Sequence, residues 1–318
     1  MNITNVRETY TRVLENVRKV IVGKDELFTL IYTAMLTGGH ILIEDNPGTG
    51  KTLLARTIAR SIEGDMKRVQ FTPDLMPQDI TGLNVFDQKE SSFRLVKGPV
   101  FTNILLADEI NRATPRTGSS LLEAMEERSV TIDGETMKLD KPFIVMATEN
   151  PIETVGTYPL PEALLDRFLI KVSMGHLPTD EECEILSRFM SVNPFDTLEP
   201  VVTKEDILSS MEAVKTVFVH PAVVEYIVNI ADATRKASKV SIGVSPRASL
   251  SLMHAAQSFA AISGRDFVTP DDVRYLAAYV FNHRIILSRG DGGFDAAKDI
   301  LEELIRTVTV PVEDWSRG

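Results

Sequence analysis

The nine residues EDNPGTGKT (44–52) constrain this chain more than any other stretch. They join a short apolar run, HILIE (40–44), to TLLARTIARSI, whose apolar spacing predicts a helix. Gly48 and Gly50 let the backbone turn so that successive N–H groups converge on one point, a cradle for an anion. A helix opening at the same place adds the positive end of its dipole. In such a setting Lys51 reaches the β- and γ-phosphates of a nucleotide, and the Thr52 hydroxyl ligates Mg2+. The candidate nucleotide-binding residues are therefore Asn46, Pro47, Gly48, Thr49, Gly50, Lys51, Thr52 and Leu53. One departure stands out. The pattern G-x-x-x-x-G-K-[ST] asks for glycine where this chain has Asp45, so that carboxylate must face away from the phosphates.

A second signal is ILLADEINRA (104–113), an apolar run that ends in two acids. On its own, an acidic pair after a strand is a solvated strand end. Downstream of a phosphate loop it becomes a candidate site: Asp108 at the strand tip holds Mg2+ through coordinated water. Glu109 is then placed to polarise the attacking water as general base. One acid suffices for the metal, so the consecutive pair favours hydrolysis over binding alone.

Three further short runs, KRVQF (67–71), FIVMA (143–147) and FLIKV (168–172), are bounded by turn or helix signals. Buried runs without alternation, interleaved with helices, predict a parallel sheet with helices on both faces. Two stretches break that rhythm. TGLNVFDQKESSFRLV (81–96) and VTIDGETMKL (130–139) read as hairpins, the second with Asp133-Gly134 suited to a two-residue turn. Val6, Tyr10, Val13, Leu14 and Val17 recur at helical spacing ahead of the sheet signals. From about residue 178 strand signals vanish. Thr179 with Glu182 makes a capping-box pattern, and Ser245-Pro246 and Thr269-Pro270 set a cap before a proline. The expected division is an α/β core over 1–175 and an all-helical unit over 176–318.

Composition narrows the partners. With 318 residues the chain has room for two domains, and 34 basic against 45 acidic side chains leave a net charge of −11. That balance argues against a chain held mainly by nucleic-acid phosphates. A single cysteine, Cys183, rules out a disulfide framework and a cysteine-based zinc site, and fits a reducing compartment. No apolar run approaches the roughly 18–20 residues of a membrane span. The first twenty residues also lack a signal-peptide core, so a cytoplasmic location without membrane insertion is expected. The five histidines are scattered and suggest no metal cluster.

FIVMATENPIETVGTYPLPEALLDRF (143–168) adds a strand ending in ATENP followed by LPEALLDRF. This block is similar to the sensor 1 and arginine-finger region of AAA+ ATPases. Together with FTPDLMPQDITG (71–82) and LLADEINRA, it resembles the MoxR group, in which one hairpin interrupts the second core helix and another precedes sensor 1. The resemblance implies an AAA+ core with a five-stranded parallel sheet over about 20–175, and a helical lid over 176–318. It implies sensor 1 at Asn150, an arginine finger at Arg167 acting on a neighbouring subunit, and sensor 2 at Arg247 reporting γ-phosphate from the lid. Val22 and Gly23, in VIVGKDE, resemble the segment that lies against adenine. Glu149 and Leu164 stand where the group commonly has glutamine, and Asp45 falls where it often has an acid. Arg167 beside Asp166 could otherwise be a surface ion pair worth little, and Arg247 a solvated helix residue.

The expected activity is ATP hydrolysis with Mg2+, the nucleotide lying between core and lid and the assembly a homo-oligomeric ring, a hexamer by resemblance. The resemblance further implies chaperone-like remodelling of proteins with von Willebrand factor A domains. A nucleotide-gated assembly switch and a magnesium-chelatase-like motor subunit remain as alternatives. A nucleic-acid motor would want basic hairpin tips, whereas Asp87, Glu90, Asp133 and Glu135 make these acidic.

Overall fold

The computed structural model describes residues 2–44, 48–150, 157–175, 178–288, 293–312 and 315. Two helices come first, α1 (Ile3–Arg18) and α2 (Asp25–Thr37). Helix α1 buries the stripe Val6, Val13 and Val17 that its spacing predicts. Helix α2 is buried on nearly every side from Leu27 to Leu36, which makes it an interior helix.

The chain then alternates strands and helices. β1 (Ile41–Glu44) leads to α3 (Lys51–Ser61) and β2 (Met66–Gln70). A short α4 (Pro77–Thr81) precedes the hairpin β3 (Gly82–Asp87) and β4 (Ser92–Lys97), followed by β5 (Ile104–Asp108) and α5 (Pro115–Glu127). A second hairpin, β6 (Ser129–Ile132) and β7 (Glu135–Lys138), precedes β8 (Ile144–Glu149), α6 (Glu162–Leu165) and β9 (Ile170–Ser173). The main sheet is five-stranded and parallel, in the order β2-β5-β8-β1-β9. Its central strands β1, β5 and β8 are buried almost throughout, as uninterrupted apolar runs require. KRVQF is different: β2 is the edge strand, and of Lys67, Arg68, Val69 and Gln70 only Val69 is buried.

Both hairpins form. In the second, Asp133 and Gly134 both take positive φ (+50° and +88°), which a tight two-residue turn demands. The first departs from its expected setting, because no helix resumes after it. Residues 98–103 are turns, since Gly98-Pro99 cannot continue a helix and Gly98 passes against the Ile80 carbonyl where a Cβ would collide.

Beyond the sheet lie α7 (Thr179–Arg188), α8 (Lys204–Val214), α9 (Pro221–Lys236), α10 (Pro246–Ile262), α11 (Pro270–Phe281) and α12 (Gly293–Thr307). This region is helical but not purely so: β10 (Val240–Ile242) pairs antiparallel with β11 (Ile286–Leu287). The caps at Ser245 and Thr269 form, accepting from the Ala248 and Asp272 amides. The box at Thr179 does not, because α7 already begins there with Pro178 as its cap. The lid shares one apolar core with the first two helices and a sheet face, so that Val13, Leu30, Ile43, Ile207 and Leu252 belong to a single cluster. Thr37 Oγ1 donates to Ser258 Oγ at 2.9 Å across the same seam. Helices α1 and α2 therefore fix where the lid can sit.

Candidate nucleotide site and the family of the chain

In this strand order β8 lies between β5 and β1, so the loops leaving their carboxyl ends meet. Gly48 and Gly50 take φ of +86° and +90°. A Cβ at either would touch nothing within 4 Å, so the left-handed backbone and not lack of room calls for glycine. Lys51 and Thr52 open α3, whose first N–H groups have no partner within the helix. The expected site residues Asn46 and Pro47, with Asp45, lie outside the described residues.

Asp108 ends β5 in register with Gln70 of β2. Its Oδ1 accepts from the Thr148 hydroxyl at 2.6 Å, and Thr148 Oγ1 accepts from the Glu109 amide at 2.8 Å. Glu109 is left-handed (φ +55°), a turn that carries its side chain sharply off the strand direction. Its Oε2 accepts from Gln70 Nε2 at 2.8 Å and pairs with Arg112 Nε at 2.9 Å. Arg68 sits on Asp108 Oδ2 through Nε (3.1 Å) and Nη2 (2.6 Å). Arg68, Gln70 and Thr148 went unread in the sequence. The available signal was the spacing of Arg68 and Gln70, two apart and hence on one face of a strand.

Together 48–53, Arg68, Gln70, Asp108, Glu109 and 148–150 line a cleft of about 390 Å3. The cleft brings together Gly48, Thr49, Gly50, Lys51, Thr52, Leu53, Asp108, Glu109 and Asn150. Its donor set suits magnesium. A hydroxyl (Thr52) and a carboxylate (Asp108) are hard oxygen ligands, and Mg2+ in phosphate sites takes one or two carboxylates plus substrate oxygens. Among the described residues no group of three or more His, Cys, Asp and Glu offers an all-protein cage.

Val22 and Gly23 do not line this cleft among the described residues. Gly23 is left-handed (φ +67°), and any Cβ there would collide with the Glu181 carboxylate of α7. The neighbouring Val20 and Ile21 pack with Leu53, Phe189, Phe195 and Leu198, an apolar wall beside the phosphate loop.

Behind the cleft, Lys171 Nζ lies 2.6 Å from both Glu44 Oε2 and Glu149 Oε1. This triad ties the last residue before the loop at 45–50 to the residue preceding Asn150. Burial lifts Glu44 above its ordinary value despite Lys171. Burial alone would lower Lys171, but Glu149 and Glu44 outweigh it and raise it. Asn150 is buried and also borders a larger cavity of about 850 Å3 between core and lid.

Arg167 and Arg247 lie elsewhere. Arg167 pairs with Glu126 at the end of α5, and its buried Nε finds no acceptor among the described residues. Arg247 Nη2 is 3.3 Å from Glu126 and its Nε 3.5 Å from Asp166, which also holds the buried Arg284 at 3.0 Å. Arg247, expected to report γ-phosphate from the lid, is not in the described lining of the phosphate-loop cleft. The described lining of the cleft is all core, because packing on α1 and α2 brings the start of α10 to the end of α5.

Comparison with known proteins bears on the fold and the family. The ATPase family associated with various cellular activities (AAA) matches residues 40–170, and the AAA lid domain matches 232–304. Chaperone MoxR1 of Mycobacterium tuberculosis is 42% identical over 95% of this chain and 82% of its own length. Protein MoxR of Methylorubrum extorquens is 29% identical over 97% and 96%, and YeaC of Bacillus subtilis 48% over 95% of each. The crystal structure of a Cytophaga hutchinsonii protein assigned as an ATPase superimposes with a TM-score of 0.88 at 37% identity, covering 96% of both chains. No helix among the described residues is long and apolar enough to cross a membrane. The α/β sheet, its loop-borne acids and these matches lead to one assignment: the chain is a nucleotide-binding ATPase of the MoxR family of AAA proteins.

Proposed function

We propose that the chain hydrolyses ATP within a homo-oligomeric ring, six-membered by family resemblance, and uses the turnover to remodel a partner protein. The observation that carries this reading is the placement of Arg167 and Arg247. Both are held by Glu126, outside the described lining of their own cleft, as groups meant for another copy's nucleotide would be.

Lys51 and the 48–52 backbone grip the phosphates, and the apolar wall of Val20, Ile21 and Leu53, which adjoins Val22 and Gly23 in the chain, is the surface offered to the base. Mg2+ on Thr52 and Asp108 would neutralise charge on the β- and γ-phosphates. Glu109 orients and deprotonates the attacking water, and buried Asn150 contacts the γ-phosphate. Arg167 of the adjoining subunit, with Arg247 beside it, stabilises charge that grows on the transferred group, worth about 10³–10⁵ in rate in related systems. Because Arg247 and Asn150 both lose a contact on cleavage, the interface between subunits loosens, and that movement works on the client. A domain division at about 175 would put the hinge of this movement after β9.

A protein client, with von Willebrand factor A domains favoured by resemblance, is supported by the first hairpin. It exposes Val85, Phe86, Phe93 and Val96, a surface suited to protein and not to a phosphate backbone. The test is affinity capture with Glu109→Gln in ATP. The expected result is a protein retained with ATP and released with ADP; recovery of nucleic acid alone, or of nothing beyond the nucleotide-free control, contradicts it.

A further inference from the structure

A closed circuit of polar contacts surrounds the two acids, and the mechanism above does not use the residue that completes it. From Asp108 Oδ2 it passes to Arg68, then from Arg68 Nη2 to Gln70 Oε1 at 2.7 Å. Gln70 Nε2 continues it to Glu109, whose amide donates to Thr148, and the Thr148 hydroxyl returns to Asp108 Oδ1. Thr148 thus takes one carboxylate oxygen of Asp108, and a guanidinium covers the other.

The two partners of that ion pair are unequally held. The Asp108 side chain is 14% exposed and Arg68 is 48% exposed on the edge strand. The carboxylate is fixed and the guanidinium has room to leave. A divalent cation reaching Oδ2 would stand within a few ångströms of Arg68, and like charges that close repel.

We propose that Arg68 is the resident counter-cation of the metal site: with no nucleotide bound it neutralises Asp108, and Mg2+ gains that carboxylate only by displacing it. The inference rests on the ATPase reading for the identity of the ligand and adds a positioning role for Arg68. Once released, the guanidinium still belongs to the lining that holds 48–53, where phosphate oxygens are its natural acceptors. Exchange of Arg68 from carboxylate to phosphate keeps the cleft's charge balanced before and after loading.

The test titrates free Mg2+ against binding of a fluorescent, slowly hydrolysed ATP analogue, using the full chain, Arg68→Gln and Arg68→Lys. An ion pair this exposed is worth up to about a fivefold change in a competing equilibrium. Arg68→Gln should therefore reach its half-maximal response at about two- to fivefold lower Mg2+. It should also bind the analogue more weakly in excess chelator, where Asp108 then confronts the phosphates uncovered. Arg68→Lys keeps the charge and should follow the unmodified chain. An unchanged Mg2+ dependence in Arg68→Gln, a shift to higher Mg2+, or an equal loss at every Mg2+ concentration overturns the proposal. An unmodified chain that binds no nucleotide would contradict the ATPase reading instead.

Discussion

Arg167 and Arg247 share one carboxylate, that of Glu126, although one follows the core helix α6 and the other opens the lid helix α10. Two guanidinia from different parts of the chain are thus brought to the same point and kept together by a single acid. Removing either should leave the phosphate-loop cleft intact. Arg167→Ala is expected to lower ATP turnover by about 10³-fold or more. Nucleotide affinity measured on the dilute chain should stay within a factor of about two. Parallel turnover and binding measurements check this, and a matching loss of affinity would place Arg167 in its own cleft.

Lys171→Met leaves Glu44 and Glu149 facing each other with no cation between them. Breaking a buried ion pair from one side costs about 3 kcal/mol. Chemical denaturation at neutral pH should show a loss of that order, partly recovered in Lys171→Met with Glu149→Gln. If the single variant matches the unmodified chain in stability, the triad does not hold the two strand ends.

Acid should destabilise the fold through its buried histidines. Burial holds His40 down to about 3, with Arg128 adding to the effect, and His283 is likewise pushed well down by burial beside Arg284. Each stays neutral when folded but takes up a proton near 6.5 when unfolded, so stability is full above that pH and falls as pH drops below it. For His40 the loss by pH 5 is about 2 kcal/mol. Denaturant midpoints across pH 5–8 measure it; a flat profile would mean that His40 is charged in the fold.

Gly50→Ala probes the loop without touching the metal ligands. The added methyl meets no neighbour, so the penalty comes from φ of +90° and should be about 1–2 kcal/mol, expressed as a displaced loop and weakened nucleotide binding. Calorimetric titration with ATP follows the affinity, and unaltered binding would show that the left-handed turn is dispensable.

Much of the core was legible because its strands carry unbroken apolar runs and its loop needs glycines at fixed places. ILLAD and FIVMA declare buried strands, and Gly48 and Gly50 declare the turn. What escaped was set by tertiary placement. KRVQF has strand character, but nothing local says that it is an edge, or that Arg68 and Gln70 therefore reach Asp108 and Glu109. Arg247 could be assigned to a helix start from Ser245-Pro246, yet its partner depends on how α10 packs against α1 and α2. The ribbon of Val240–Ile242 with Ile286–Leu287 joins segments too short to show a period. Thr179 offered a capping pattern that Pro178 pre-empted by starting the helix one residue earlier.

The shared-site claim is tested most directly by mixing two defective proteins. Glu109→Gln keeps Arg167 but cannot activate water, and Arg167→Ala keeps an intact cleft but has no finger to lend. Each alone should be nearly inactive, and combining them should restore ATP hydrolysis at interfaces where an intact arginine meets an intact cleft. Mixed assemblies that form yet remain as inactive as their parents, or an Arg167→Ala chain that hydrolyses ATP at the unmodified rate, would contradict the account.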